Sequence, residues 1–367
     1  MAEAVYEYMT EVGSNVGRGR YQDAYSVEEK VMRCRERLAD LFGAPDASGV
    51  AFTKNVTEAL NVLLKGYLRP GDHVIVSSME HNAVMRPLVQ LEERGVTFTR
   101  ARCTDEGDLV LESLEDCLRP STRAVVMTHA SNVCGTVLPI REVGAFCRAH
   151  GLPLFLDSAQ SAGVLPIDMA RDNVAAVCFT GHKGLMGPQG TGGLVTDPEL
   201  ARSLEPLVAG GTGSRSDSEQ MPDFLPDHLE AGTLNLPGIV GLESALAWID
   251  EVGVDAIHAR ESALTASLLD GLSELEAAGI LRVVGHRGTE GRLSAVSVQT
   301  PGRDEAEVAD GLSREYGIMT RVGLHCAPSA HKTLGTFPEG TIRLSLGYFN
   351  TANDVDAAVT ALEELLD

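Results

Sequence analysis

The sequence predicts an α/β protein, with a mostly parallel sheet covered by helices and a smaller α+β unit joined to it. Short apolar, often β-branched runs alternate with amphipathic segments from about residue 49 to 196. A stretch rich in Gly, Pro and polar residues, "AGGTGSRSDSEQMPDFLPDHLEAGTLNLP" at 209–237, then breaks the alternation. A helical run, "IVGLESALAWIDEVG", follows it and leads into a second unit over roughly residues 255–367.

Taken in order, "GVAFT" reads as a strand entering the helix "NVTEALNVLLKGYL", and "DHVIVSS" as a strand entering "EHNAVMRPLVQLEERG". "RAVVMTHAS" precedes a turn and the helical "IREVGAFCRAHG", followed by the apolar "LPLFLDSAQ" and "VAAVCFTGHKG". Runs this apolar suit strands buried on both faces, which parallel pairing requires. The second unit contains "LSAVSVQT", "EVADGLSREYG" and "TIRLSLGYFNTANDVDAAVTALEELLD". The chain shows neither an internal repeat nor a low-complexity segment.

Composition narrows the function classes. The 367 residues, 44% hydrophobic and 22% charged, can bury a large core. No apolar run approaches the roughly 18 residues of a membrane span. "MAEAVYEYMTEVGSN" lacks the basic and apolar regions of a secretory leader, so the expectation is a cytoplasmic protein without membrane contact. With 52 acidic and 30 basic residues the net charge is −22. That charge repels phosphate backbones and argues against nucleic acid as a partner. The seven cysteines are scattered and lack CxxC spacing, which fits neither a disulfide framework nor a zinc site.

In an open α/β sheet, ligands bind beyond the C-terminal strand ends. Four such ends carry useful groups. Asn55, Val56 and Thr57 start a helix, where free N–H groups receive anions, although the same residues make an ordinary cap. His81 lies just past a strand. Asp157 closes the apolar "LFLD" and is followed three residues later by Gln160; a carboxylate there needs a cation or works as another cap. Lys183 stands among small residues in "FTGHKGLMGPQG". A Schiff-base lysine, a carboxylate for a pyridinium nitrogen and a phosphate-holding helix end are together what pyridoxal phosphate requires. A phosphate-loop regulator using "GPQGTGG" is disfavoured, since neither GxxxxGK[ST] nor a strand-linked GxGxxG is present.

The motifs "NVTEALN", "MEHNAVMRPL", "HASNVCGT", "LDSAQSAG", "FTGHKGLMGPQG", "EAGTLN" and "RVGLHCAP", in this order and spacing, carry a resemblance over nearly the whole chain. The sequence resembles the class V aminotransferase-like family of pyridoxal-phosphate enzymes, in its cysteine desulfurase and selenocysteine lyase branch. The resemblance implies the fold type I architecture, aspartate aminotransferase-like, with a seven-stranded-type sheet. It implies a large cofactor-binding domain over 20–245, and a small domain formed by 1–19 and 246–367 that carries a catalytic cysteine loop. By position, Lys183 would bond the cofactor, His81 would stack on its ring, Asp157 would pair with the pyridine nitrogen and Gln160 with the phenolic oxygen. Val56, Thr57, Thr180 and His182 would hold the phosphate. Thr233 would reach the phosphate of a partner subunit, which implies a homodimer with shared sites.

Cys326, in "RVGLHCAPSAHKTLG", separates a desulfurase from transaminating relatives. The segment has no helical or strand period and is expected to be a loop, and a thiolate there is a nucleophile able to take sulfur. His325 and Arg321 are expected to lower its pKa. A metal site at Cys326 and His331 lacks further ligands. Arg343, in an otherwise apolar strand, suits a bidentate grip on an α-carboxylate, with Arg321 and Asn132 beside it. The resemblance implies conversion of L-cysteine to L-alanine, with freed Lys183 removing the Cα proton and sulfur passing to Cys326 as a persulfide and on to a thiol or acceptor protein. The alternatives are L-selenocysteine as substrate, or a related aminotransferase, epimerase or C–S lyase in which Cys326 is incidental. A catalytically weak scaffold that binds the cofactor is a third. Where the family usually opens with a "DNAAT"-type segment, this chain begins at Met1 on the helix resembling "AEAVYEYMTEVGSNVGRG". The expectation is either a start placed late or a more open pocket. The short segment after Cys326 points to a less mobile cysteine loop and a helper sulfur acceptor.

Overall fold

The computed structural model describes residues 1–16 and 22–367. Seven strands form the larger sheet: β1 (Val50–Thr53), β2 (His73–Ser77), β3 (Thr97–Ala101), β4 (Thr122–Thr128), β5 (Leu154–Asp157), β6 (Val174–Thr180) and β7 (Gly192–Thr196). Their order is β1-β7-β6-β5-β4-β2-β3. β7 runs antiparallel to both of its neighbours, and the remaining pairs are parallel. The expected α/β class, with a mostly parallel seven-stranded sheet, is what the chain adopts.

Alternation along these strands builds two apolar layers. On one face Val74, Val76, Ala124, Val126, Phe155, Ala176 and Leu194 pack against the helices Val56–Tyr67 and Asn82–Glu92. On the other, Ile75, Val125, Met127, Leu156, Val177, Phe179 and Val195 meet the helices Gln22–Phe42, Ile140–His150 and Leu236–Val252. Tyr8 belongs to this second core. The helix expected over 2–19 forms at Ala2–Glu7, continues as one wider turn at Tyr8–Val12 and stops at Gly13. Residues 17–19, and the expected domain bound beside them, lie outside the described residues.

Two strands of this sheet were not legible as such. β3 is an edge strand whose residues are mostly half-buried or exposed, so it lacks the apolar run of its neighbours. β7 arises from "GGLVT", which reads as the end of a glycine-rich turn. Gly192 pairs with Thr180 on one side and Thr53 on the other. A Cβ there would lie 2.6 Å from Asn55 Cα, so glycine alone lets the start of the helix Val56–Tyr67 close on the end of β6.

The smaller sheet contains β8 (Arg282–Val284), β9 (Ala295–Gln299), β10 (Arg321–Gly323) and β11 (Thr341–Ser345), antiparallel in the order β10-β11-β9-β8. Val296, Val298, Ile342 and Leu344 pack against Leu268 and Leu272 of the helix Val254–Ala277 and Leu362 of Ala352–Leu366. The cysteine segment, expected to be all loop, contributes β10 and the short helix Pro328–Thr333, with the turn of Cys326 between them. Among the described residues, no helix is long and apolar enough to cross a membrane.

Two buried polar clamps fix the layers. Arg35 and Glu230, 3% and 8% exposed, form a bidentate pair at 2.8 and 2.7 Å. Arg35 also donates to Val50 O, and Phe52 N–H donates to Glu230, so the pair ties a helix, β1 and the irregular 209–235 stretch together. Glu80 is fully buried just past β2 and accepts from Ser77 Oγ at 2.5 Å and Thr128 N–H at 3.0 Å, which locks the ends of β2 and β4. Burial raises its pKa from the usual 4.5 to about 8, against the opposing pull of the Ser77 and Thr128 hydrogen bonds.

Arg35→Leu should destabilise the fold by about 3–5 kcal/mol, because it strands a buried carboxylate, and Arg35→Leu/Glu230→Leu should recover much of that loss. Denaturant melts of both variants check this. Glu80 keeps its proton to about pH 8 when folded but releases it near 4.5 when unfolded. Its contribution is therefore most favourable below the unfolded value and is lost as pH rises through the folded one. Glu80→Gln should flatten stability against pH across that window in urea titrations.

Candidate active site

Parallel register brings the chemistry to one edge. Thr128 pairs with Asp157, Asp157 with Cys178, and Thr180 ends β6 two residues further on. His81 follows Glu80 and caps the helix Asn82–Glu92, its Nδ1 accepting from Ala83 N–H at 3.0 Å. Burial, and then the positive charge of Lys183 and nearby arginines, lowers the His81 pKa to about 4. Its ring is neutral at physiological pH, with the proton on Nε2.

Lys183 sits in a tight turn between β6 and β7, closed by Met186 N–H to Lys183 O at 2.8 Å and Gly187 N–H to Gly181 O at 2.7 Å. Solvent reaches the side chain through a cleft mouth, yet protein surrounds it. The resulting desolvation lowers its pKa, opposed by the charge of Asp157 and reinforced by Arg343 and Arg321. Asp157 is 1% exposed, and burial raises its carboxyl pKa. Among the described residues its carboxylate accepts one hydrogen bond, from Ala159 N–H at 2.9 Å.

A cleft of about 570 Å³ gathers His81, Asn132, Gln160, Lys183, Arg321 and Arg343. Thr180 and His182 are joined at 2.9 Å below this edge, beside the helix start of Val56 and Thr57. Thr233 is not in the cleft; it borders a separate hollow with Lys54, Thr191 and Glu230. Arg321 and Arg343 are cross-strand partners in β10 and β11. Two guanidiniums directly opposite repel, and an anion between them relieves that repulsion. Arg343 Nη1 donates to Asn132 O at 2.7 Å, while Asn132 Nδ2 donates to His325 O at 2.8 Å. Asn132, expected beside a substrate carboxylate, lines the cleft and gives one of its two amide hydrogens to the cysteine turn.

Cys326 is exposed, with Sγ 3.9 Å from Arg321 Nη2. His325 differs from the sequence expectation. Its ring is buried, and burial, followed by the charge of Arg343, lowers its pKa to about 3. A neutral imidazole supplies no charge to stabilise a thiolate, so of the two expected neighbours Arg321 is the cation at Cys326. The cleft also includes Ser131, Glu261, Tyr348 and Phe349, which the sequence did not single out. Glu261 accepts from Ser294 Oγ at 3.0 Å, and burial raises its pKa. On a long amphipathic helix its carboxylate has no signature apart from that of solvated neighbours. Glu80 carried one signal, its place directly before His81. The acidic group Glu106, Asp108 and His286 lies outside this cleft.

The donor set fits pyridoxal phosphate. Among the described residues the side chains of Lys183, Gln160 and Thr57 make no hydrogen bond, and Asp157 has lone pairs to spare, so groups suited to a pyridine ring, its oxygen and a phosphate are free together.

Known proteins agree with this geometry. The aminotransferase class-V family matches residues 1–358. A probable cysteine desulfurase of Methanothermobacter thermautotrophicus is 33% identical over 370 residues, covering 100% of this chain and 91% of that protein. The Escherichia coli cysteine desulfurase CsdA is 28% identical, covering 100% and 90%. Among solved structures, the apo cysteine desulfurase of Thermococcus onnurineus superposes with a TM-score of 0.92 at 30% identity, covering 100% of this chain and 90% of that one. A CsdA crystal structure gives 0.86 at 27%, with the same coverage. The chain belongs to the class-V aminotransferase family.

Proposed function

We propose that this protein is a pyridoxal-phosphate-dependent cysteine desulfurase that converts L-cysteine to L-alanine and receives the sulfur on Cys326. The observation that carries the reading is the exposed Cys326 thiol beside the guanidinium of Arg321, which lines the cleft that holds Lys183, His81 and Arg343. The names of the relatives support the same chemistry.

Lys183 would hold the cofactor, with Asp157 at the ring nitrogen, Gln160 at its oxygen and the neutral ring of His81 beside it. Val56 and Thr57 would hold the phosphate, with Thr180 and His182 adding bonds and Thr233 contributed from a partner subunit. When bound, pyridoxal phosphate supplies an electron sink for the charge left at Cα. Arg343 and Arg321 grip the substrate carboxylate, which relieves their mutual repulsion. The lowered pKa of Lys183 favours a free amine able to take the Cα proton. The Cys326 thiolate then attacks the substrate sulfur. An S–S bond forms as the Cβ–S bond breaks, the electron pair leaves with Cβ, Cβ takes up a proton, and the proton held by Lys183 returns to Cα to complete alanine. The product is a Cys326 persulfide, exposed for a thiol or an acceptor protein to reduce. A homodimer with sites completed across the interface belongs to the proposal, as does a cytoplasmic setting. So does the division into a large unit of 20–245 and a small unit of 1–19 with 246–367, although Tyr8 and the helix to Val252 pack on the large sheet.

The protein loaded with pyridoxal phosphate should release sulfide and alanine in equal amounts from L-cysteine with a reductant. Cys326→Ser should lose both by on the order of a hundredfold or more, with its cofactor absorbance kept. Pyruvate in place of alanine, or activity indifferent to Cys326, would move the assignment to a lyase or transaminase. Turnover of L-selenocysteine without L-cysteine would move it to a selenocysteine lyase. Lys183→Ala should abolish the near-visible absorbance of the bound cofactor. Arg343→Ala, which removes a charge-assisted hydrogen bond of about 1.5–3 kcal/mol, should raise KM for L-cysteine by about 10- to 100-fold.

A further inference from the structure

His325 and Cys326 are consecutive non-glycine residues with left-handed backbone, φ +47° and +60°. Side chains avoid this region, and a pair of them persists only where the surroundings dictate it. Two main-chain clamps hold the turn from the large-sheet side. Asn82 N–H donates to Cys326 O at 2.8 Å, and Asn132 Nδ2 donates to His325 O at 2.8 Å.

The third clamp runs through the His325 ring. Ser297 Oγ donates to Val133 O at 2.6 Å, and Thr341 Oγ1 donates to Ser297 Oγ at 3.2 Å. With its own hydrogen spent on Ser297, Thr341 Oγ1 accepts from His325 Nε2 at 2.9 Å. The chain of donors thus assigns the His325 tautomer, with the proton on Nε2 and a bare lone pair on Nδ1.

We propose that His325 is the positioning residue of the Cys326 turn: its neutral imidazole, tied through Thr341 and Ser297 to the small sheet and Val133, holds the thiol-bearing backbone in the left-handed conformation that aims Sγ at the substrate. The proposal rests on the reading of Cys326 as the sulfur nucleophile. It gives the histidine before the cysteine a mechanical task and leaves the charge near the thiol to Arg321. It also links the two binding tasks, because β11 carries both Thr341 and Arg343, and Asn132 joins Arg343 to the His325 carbonyl.

The test compares His325→Leu, His325→Gln and Thr341→Val with the parent, each as holoenzyme reconstituted with pyridoxal phosphate. It measures alanine formation from L-cysteine, cofactor absorbance, and the rate at which iodoacetamide alkylates Cys326 across pH. Misplacing a reacting atom costs up to about a hundredfold, so His325→Leu should lower kcat by about 10- to 100-fold, with KM and cofactor absorbance within about twofold. His325→Gln, whose amide N–H can donate to Thr341, should recover most of that loss. Thr341→Val should reproduce it, and His325→Leu/Thr341→Val should be no worse than either single variant. The pH at which alkylation is half-maximal should stay unchanged in all three, as expected for a residue that places the thiol without charging it. A kcat within twofold of the parent in Thr341→Val, a shifted alkylation midpoint, or a loss that follows lost cofactor would overturn the proposal. Thr341→Val is nearly isosteric and carries the test alone if His325→Leu does not fold. Cys326→Ser separates the two readings. If it retains full activity, the desulfurase reading fails; if it is inactive while Thr341→Val is unaffected, the positioning role alone fails.

Discussion

A carboxylate buried at the end of a parallel strand is the constraint around which this protein is arranged. Asp157 has almost no exposure and a single backbone donor, a placement that water would never favour. What makes it tolerable is the field around it. Lys183 lies close enough to lower the carboxyl pKa, and Asp157 in turn raises that of the lysine, while desolvation works against both charges. Each group is held part of the way toward its neutral form. A cationic group placed at Asp157 would supply the counter-charge that the carboxylate lacks.

The strand ends beside Asp157 share its burden. Glu80 is a second fully buried carboxyl, one strand beyond β4, and its burial is reinforced by the charge of Asp157. Two ionised carboxylates so placed would repel in a low dielectric, and the raised Glu80 pKa keeps one of them protonated. In that state Glu80 still accepts the Thr128 N–H, so the edge of the sheet stays fixed and His81, the next residue, is fixed with it. The neutral His81 ring follows from the same logic, since every charged neighbour named for it is a cation.

The small sheet contributes the opposite kind of tension. Arg321 and Arg343 face each other across β10 and β11, and Arg343 loses part of its basicity to burial and to its partner. That surplus of positive charge, in a chain with a net charge of −22, makes the cleft a local sink for carboxylates. The turn bearing Cys326 is anchored to the same pair of strands, so the arginine pair and the thiol are held by one piece of architecture.

Much of this was legible in the residues. The apolar runs "VIV", "AVVM", "LFL" and "VAAVCF" disclosed buried parallel strands, because such strands cannot alternate polar with apolar. The polar residues that close them marked the site, because ligands lie beyond those ends. Lys183, Asp157 and His81 stood out as reactive types in places where solvation alone would not put them. β3 was hidden because an edge strand carries no apolar signature, and β7 because its two glycines serve close approach across the sheet. Glu261 was hidden because a carboxylate on a helix reads the same whether it faces water or a cleft.

By itself the sequence determined the order of strands and helices, the sign of the surface charge and the kinds of chemistry at each strand end. These depend on local period and composition, which the chain carries residue by residue. Only the tertiary structure decided which nitrogen of His325 bears the proton, that Asn132 holds the cysteine turn, and that Arg321 faces Arg343. The Asn132 bond joins segments 193 residues apart and forms only once the two sheets have packed. The other two rest on strand register and a hydrogen bond inside the small sheet, which no local helical or strand period encodes.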